Sequence, residues 1–182
     1  ELMKRYSNNI LLAYDGDRAG VDATRRASAI LIPLGMNVKV VALPPGVDPA
    51  DLILTDPEAF KTAVRIAEPV VDFFVAHIQR TVADVRTQKL EVGTIVLPLI
   101  ALIDNALDQS HFVSRVADAL SVSEVAVTIE LKKIQSTGVM NGVAALPTSS
   151  TRDQRETLVY GILRTYADGA DPRHERVKAL FV

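Results

Sequence analysis

The first part of the chain has the hydrophobic pattern of a strand, a helix and a second strand. Residues 10–14 form a continuous apolar run, which is typical of a strand buried on both faces. Apolar residues then recur at helical spacing from Ala19 to Leu34, and a second apolar, β-branched run follows at 38–43. The short connections predict a βαβ unit with parallel strands and a right-handed crossover.

The pattern after residue 55 favours helices. Asp56 followed by Pro57 predicts an N-cap and the first residue of a helix that runs to about residue 66. Pro98 lies inside a predicted helix and should kink it. Ser121 to Glu124 resembles an N-terminal cap. The other predicted helices, which should form a small antiparallel bundle, span residues 69–85, 90–107, 112–120 and 124–134.

The last part of the chain begins with a stretch typical of a linker. Residues 138–151 are rich in Gly, Ala, Ser and Thr and carry no charge. Helices are predicted beyond it, at 152–166 and 172–181. The fold class is therefore α/β, a parallel βαβ unit, followed by an all-α bundle. The predicted divisions are an α/β unit at 1–66, a bundle at 67–136, a linker at 137–151 and a further helical unit at 152–182.

Composition, charge and the length of the apolar runs exclude several classes of protein. With 48% hydrophobic residues among 182, the chain can bury a core, so wholesale disorder is excluded. The formal charge of −2 argues against a protein that binds nucleic acid through a large net positive charge. Because there is no cysteine, disulfides and thiolate metal sites are excluded. No run approaches the length of a membrane helix, and the start at Glu1, without Met, indicates a piece of a larger protein.

Carboxylates follow both predicted strands. Asp15 and Asp17 come after the first strand, with Gly16 keeping the turn between them small, and Asp48 and Asp51 come after the second. Since parallel strands end at the same edge of a sheet, three or four carboxylates should converge there. Close carboxylates resist joint ionisation, and a divalent cation removes the conflict. Oxygen ligands without Cys or His select Mg²⁺ or Mn²⁺, as in phosphoryl or nucleotidyl transfer.

The aspartates after the strands also have a purely structural interpretation. Aspartates after strands often serve as turn residues and helix caps, and we expect this of Asp51 and Asp56. Arg18 begins the helix beside the carboxylates and is the candidate contact for phosphate or nucleic acid. The remaining basic residues near the site are expected to be solvated: Lys4, Arg5, Arg25 and Arg26.

Two motifs resemble a known family. Residues 10–20, ILLAYDGDRAG, look like the second half of the TOPRIM domain of bacterial replicative primases (DnaG type). Residues 43–52, LPPGVDPADL, resemble the Leu-Pro-x-Gly-x-Asp-Pro stretch of the same family and follow at the right distance. Residues 112–124 are similar to the bundle that completes the primase polymerase domain. The tail from Arg152 looks like the start of the helicase-binding domain.

The resemblance implies synthesis of short RNA primers on a single-stranded DNA template from ribonucleoside triphosphates, by two-metal nucleotidyl transfer. It implies Mg²⁺ or Mn²⁺ as cofactor. Asp15 and Asp17 match the catalytic Asp-x-Asp metal ligands, and Asp48 matches the first acidic residue of the later loop. Many relatives carry a further Asp where this chain has Ala50, with Asp51 one step on.

The resemblance also implies parts that this chain does not carry. The TOPRIM glutamate, the zinc-binding domain and the basic subdomain are expected before Glu1, so zinc is not expected here. The chain alone should therefore bind metal weakly and polymerise poorly or not at all. The replicative helicase is an expected partner through the region beyond the chain. The implied location is cytoplasmic, at the replication fork, without membrane contact.

Alternative functions remain. The chain could be a non-catalytic module that links the primase core to the helicase, with its function beyond residue 150. It could also belong to a nuclease or topoisomerase-like TOPRIM enzyme, which needs a tyrosine or a water-activating partner. A haloacid-dehalogenase phosphatase is disfavoured, because such an enzyme would carry Gly and then Thr or Val after the second aspartate, where this chain has Arg18.

Overall fold

The computed structural model describes residues 4, 6–14, 17–44 and 46–136. All of them lie in the first of two units, Glu1–Ala144 and Ala145–Val182. The linker predicted at 137–151 and the helices predicted beyond it lie outside the described residues.

The predicted βαβ unit is confirmed. Strand β1 (Asn9–Ala13) pairs in parallel with β2 (Asn37–Val41), and helix α1 (Arg18–Leu31) connects them. A 3₁₀ turn, Ile32–Leu34, extends α1. Gly35 ends it in the left-handed conformation with φ 69°, which glycine adopts without a Cβ penalty.

A third strand makes the sheet mixed, which the sequence pattern did not indicate. Strand β3 (Glu68–Pro69) pairs antiparallel with β2, so the order is β1-β2-β3. Two residues are too few for a visible alternation, and Pro69 is compatible with an edge because it has no N–H to donate. Since α4 (Val70–Thr81) begins directly after β3, this strand ties the helical region to the sheet.

The expectation that β1 is buried on both faces is wrong. Leu12 is buried, but Leu11 is 48% exposed and Asn9 is exposed. Within the described residues β1 is an edge strand, because it pairs only with β2. A continuous apolar run reports the composition of both faces of a strand but not the presence of a cover over each face.

The helices differ from the prediction mainly in their boundaries. Helix α2 was not predicted, because its residues were interpreted as a loop; the predicted helix after Asp56 is confirmed as α3. The helices that follow β2 are α2 (Pro49–Thr55), α3 (Pro57–Arg65), α4, α5 (Val85–Glu91), α6 (Leu97–Ala101), α7 (Ala106–Leu120) and α8 (Glu124–Ser136).

The helix predicted over 90–107 is confirmed in part, because helical residues run without a break from Val85 to Ala101 but end before Leu107. Helix α5 passes into a π-helical turn, Val92–Val96, in which the N–H of Leu97 donates to the carbonyl of Val92. Pro98 then lies in the first turn of α6, where its missing N–H costs no hydrogen bond. The chain leaves the helix after Ala101, so the wide turn rather than a simple proline kink accommodates Pro98.

Polar caps account for the other boundary errors. The helix predicted over 69–85 is α4, which ends earlier, at Thr81; Asp84 then begins α5 by accepting hydrogen bonds from the N–H and hydroxyl of Thr87. Asn105 begins α7 by accepting from the N–H groups of Leu107 and Asp108, before the predicted start at residue 112.

The cap predicted at Ser121 to Glu124 is displaced within that segment. Ser121 ends α7 in the left-handed conformation, and it is the hydroxyl of Ser123 that accepts from the N–H of Ala126. The carboxylate of Glu124 accepts instead from the hydroxyl of Ser114 on α7. The four residues therefore join two helices rather than form a capping box.

One hydrophobic core spans the sheet and the helices. Leu12 and Val40 from the strands belong to the same buried cluster as residues from α4, α6, α7 and α8. The division predicted near residue 66 is therefore not a break in packing among the described residues. Within the described part, no helix combines the length and apolar character needed to cross a bilayer. Almost completely buried core side chains include Phe74, Ile78, Val96, Leu99 and Ile100.

Candidate functional site

Asp17 follows β1 and caps helix α1. Its Oδ1 accepts a hydrogen bond from the backbone N–H of Gly20 at 2.7 Å, and its backbone is extended, as an N-cap requires. The carboxylate is exposed, and no described group bonds to its second oxygen. One oxygen thus fixes the helix terminus, while the other can accept a cation or water.

Asp48 repeats this arrangement after β2. Its Oδ1 accepts from the N–H groups of Ala50 at 2.7 Å and Asp51 at 3.0 Å, and Pro49 occupies the first position of α2. The expectation that Asp51 is a cap is wrong, because it lies in the first helical turn and its N–H is a donor to the cap. Asp56 is confirmed as a cap, since it accepts from Ala59 N at 2.9 Å.

Both caps come after strands that end side by side. Ala13 and Val41, the last residues of β1 and β2, are direct partners; α1 starts after a short connection, whereas α2 begins only after residues 42–48. The N-terminus of α1, a helix of 14 residues, favours negative charge beside Asp17. The topological part of the prediction, that Asp17 and Asp48 follow adjacent parallel strand ends, agrees with the structure.

The described side chains do not form a complete metal site. Among residues 4, 6–14, 17–44 and 46–136, no three His, Asp or Glu side chains lie close enough together to hold a metal ion. Asp17, Asp48 and Asp51 are therefore not a cluster on their own. Asp15 and Gly16 lie outside the described residues, so the three-carboxylate site stays a prediction. The exposed oxygens of Asp17 and Asp48 suit a hard cation chemically.

Arg18 lies where the sequence indicates. It is the first residue of α1, its side chain is exposed, and no described residue forms a hydrogen bond or ion pair with it. The guanidinium is thus available to an anion at the carboxyl edge.

A cavity of about 500 Å³ lies between α1, the end of β2 and α4, and sequence reasoning missed it. His77 and Arg80 contribute to it from α4. Their spacing from Phe73, at i+4 and i+7, places all three on one helix face, which is a readable signal. The described residues that line it are Tyr14, Gly20, Val21, Thr24, Val40, Val41, Ala42, Leu43, Pro44, Phe73, His77, Arg80 and Thr81.

The pKa values of two side chains that line this cavity differ from their ordinary values. Burial lowers the pKa of His77 below its ordinary 6.5, the Arg80 charge lowers it further, and Glu91 opposes both. Burial raises the pKa of Tyr14 above 10.0, against a smaller lowering by Arg26. Both side chains are therefore neutral at pH 7.

Comparison with known proteins gives consistent matches. A family model described as Toprim-like matches residues 1–53. The DNA primase of Listeria monocytogenes is 32% identical over 139 residues, which are 74% of this chain and 21% of that protein. The DNA primase of Escherichia coli K12 is 35% identical over 107 residues, which are 56% of this chain and 18% of that protein.

Solved structures agree with these relatives. A structure described as the DnaG primase catalytic domain bound to ssDNA is 27% identical with a TM-score of 0.56, covering 69% of this chain and 41% of that chain. The chain spans about a fifth of the length of the curated relatives that it matches.

Proposed function

Since the chain corresponds to part of the catalytic core of bacterial DnaG-type DNA primases, as its motifs indicated, we propose that it supplies carboxylate metal ligands for RNA primer synthesis. The observation that carries the proposal is the pair of aspartate caps that follow two adjacent parallel strands. Asp17 and Asp48 each commit one oxygen to a helix terminus and leave the other exposed.

Asp15, Asp17 and Asp48 would hold Mg²⁺ or Mn²⁺. The cation would neutralise phosphate charge and activate the attacking oxygen in nucleotidyl transfer. The caps contribute rigidity, because a side chain held by a helix N–H cannot rotate freely and its free oxygen keeps one direction. The N-terminus of α1 favours an anionic triphosphate as well as the Asp17 carboxylate.

Arg18 would contact phosphate oxygens of the nucleotide or the template. It begins α1 directly after the Asp17 cap, and no described carboxylate pairs with it. An arginine in this position binds phosphate through charge-assisted hydrogen bonds and positions the backbone without reading sequence.

The expected partners are single-stranded DNA, the growing RNA primer and ribonucleoside triphosphates. The support is the resemblance of the motifs and the similarity to a primase domain described as bound to ssDNA. Contact with the replicative helicase is proposed for the region after residue 150 and for sequence beyond this chain. A reducing cytoplasm is the proposed location.

The test is primer synthesis on a single-stranded template by a primase that contains this segment. Asp17→Asn should abolish synthesis, because asparagine preserves the cap but removes the anionic ligand. The matched control is Asp56→Asn, which changes an equivalent cap of α3 away from the site and should leave synthesis intact. Equal synthesis by the two variants would refute the metal-ligand role of Asp17. The 182-residue chain alone should give no product.

A further inference from the structure

We propose that the cavity between α1, the end of β2 and α4 binds an organic anion that carries a flat ring, with Arg80 holding the anionic group. The proposal is argued from residues other than the proposed cation ligands, and it does not depend on primer synthesis. Of the residues implicated in metal binding, Asp17 and Asp48 do not line the cavity.

The charge of the cavity lining favours an anion. Arg80 and His77 line it, and among the described lining residues there is no Asp or Glu. The Nε of Arg80 donates to the carbonyl of Ala76 at 3.3 Å, and no carboxylate pairs with its terminal nitrogens among the described residues. Two terminal nitrogens on one planar group match the two oxygens of a phosphate or carboxylate.

The other walls favour a flat apolar ring. Val40, Val41 and Leu43 provide aliphatic surface at the end of β2, and Phe73 faces the same space. The imidazole of His77 is stacked against Phe73, with ring centroids 6.1 Å apart and an angle of 24° between the rings. Since burial and the Arg80 charge keep this imidazole neutral, its face offers a further stacking surface.

The remaining polar groups are largely committed within the fold. The hydroxyl of Thr24 donates to the Gly20 carbonyl at 2.9 Å, and that of Thr81 donates to the His77 carbonyl at 2.8 Å. Tyr14 is half-buried, and its hydroxyl has no described partner. The volume of about 500 Å³ falls within the range of small-ligand pockets, so a ligand of the size of a mononucleotide fits.

The experiment measures binding of three probes to the 182-residue chain by calorimetry in EDTA. Adenosine 5′-monophosphate carries the ring and the anion, adenosine carries only the ring, and ribose 5-phosphate carries only the anion. The monophosphate should bind about tenfold or more tightly than either half. Arg80→Gln should remove that advantage and leave adenosine binding unchanged, whereas Arg86→Gln, a change of an exposed arginine on α5, should have no effect.

Three results would overturn the proposal: no binding of the monophosphate at millimolar concentration, equal binding of ribose 5-phosphate, or equal losses in Arg80→Gln and Arg86→Gln. Circular dichroism of both variants establishes that the fold is retained. Because the assay excludes divalent cations, its failure would leave the proposed metal site untouched. Loss of metal binding in Asp17→Asn would likewise leave this site untouched.

Discussion

The carboxylate of Asp17 accepts a hydrogen bond from the backbone N–H of Gly20 across 2.7 Å. The same side chain is therefore a structural cap and the proposed cation ligand. Substitution by alanine removes both roles, but substitution by asparagine removes only the charge.

Asp17→Ala should destabilise the chain by about 1 kcal/mol, whereas Asp17→Asn should change stability much less, because asparagine and aspartate cap helices about equally well. Thermal or urea unfolding followed by circular dichroism measures the difference. If both variants lose the same stability, the carboxylate charge rather than the cap hydrogen bond stabilises the start of α1.

Substitutions of Ser28 test how closely α1 packs against the core. Its side chain is fully buried, and its hydroxyl donates to the carbonyl of Thr24 at 2.7 Å. Ser28→Ala should change stability by less than about 1 kcal/mol, because both the hydroxyl and its need for a partner disappear. Ser28→Leu should cost about 1–3 kcal/mol through overpacking. Denaturant unfolding of both variants checks this; a tolerated leucine would show that the space beside α1 is loosely packed.

The lowered pKa of His77 predicts that the stability of the fold depends on pH. Burial lowers its pKa below 6.5 in the folded chain, so the unfolded chain binds the proton more readily. The free energy of unfolding should therefore fall as pH drops through 6.5 towards the lowered pKa, and this contribution should be fully present above pH 6.5. His77→Gln should flatten that part of the profile. His111→Gln, a change of an exposed histidine on α7, provides the comparison; identical profiles for both variants would contradict the assignment.

The sequence predicts the α/β unit well because its signals are local. The apolar runs and the helical spacing between them act within a few residues, and they correspond to β1, β2 and α1 of the structure. The same holds for the Asp56–Pro57 start of α3. Asp17 and Asp48 could be placed after adjacent strand ends because parallel pairing alone determines where the strands end.

The missed features depend on contacts distant in sequence or on short elements. The two-residue strand β3 shows no alternation of polar and apolar residues. Whether Leu11 is buried depends on the elements that pack against β1, and the apolar run 10–14 does not reveal them. The cavity requires Tyr14 and Arg80, from segments far apart in the chain, to face one space. The π-helical turn before Pro98 has no local signal beyond the proline itself.

The central claim is that the exposed oxygen of Asp17 binds a divalent cation. Electron paramagnetic resonance of Mn²⁺ titrated with the 182-residue chain, with Asp17→Asn and with the control Asp56→Asn measures this directly. The account predicts that the chain and Asp56→Asn bind Mn²⁺ with equal affinity and that Asp17→Asn binds about tenfold or more weakly. Equal Mn²⁺ affinity of Asp17→Asn and Asp56→Asn would contradict it and leave Asp17 as a helix cap alone.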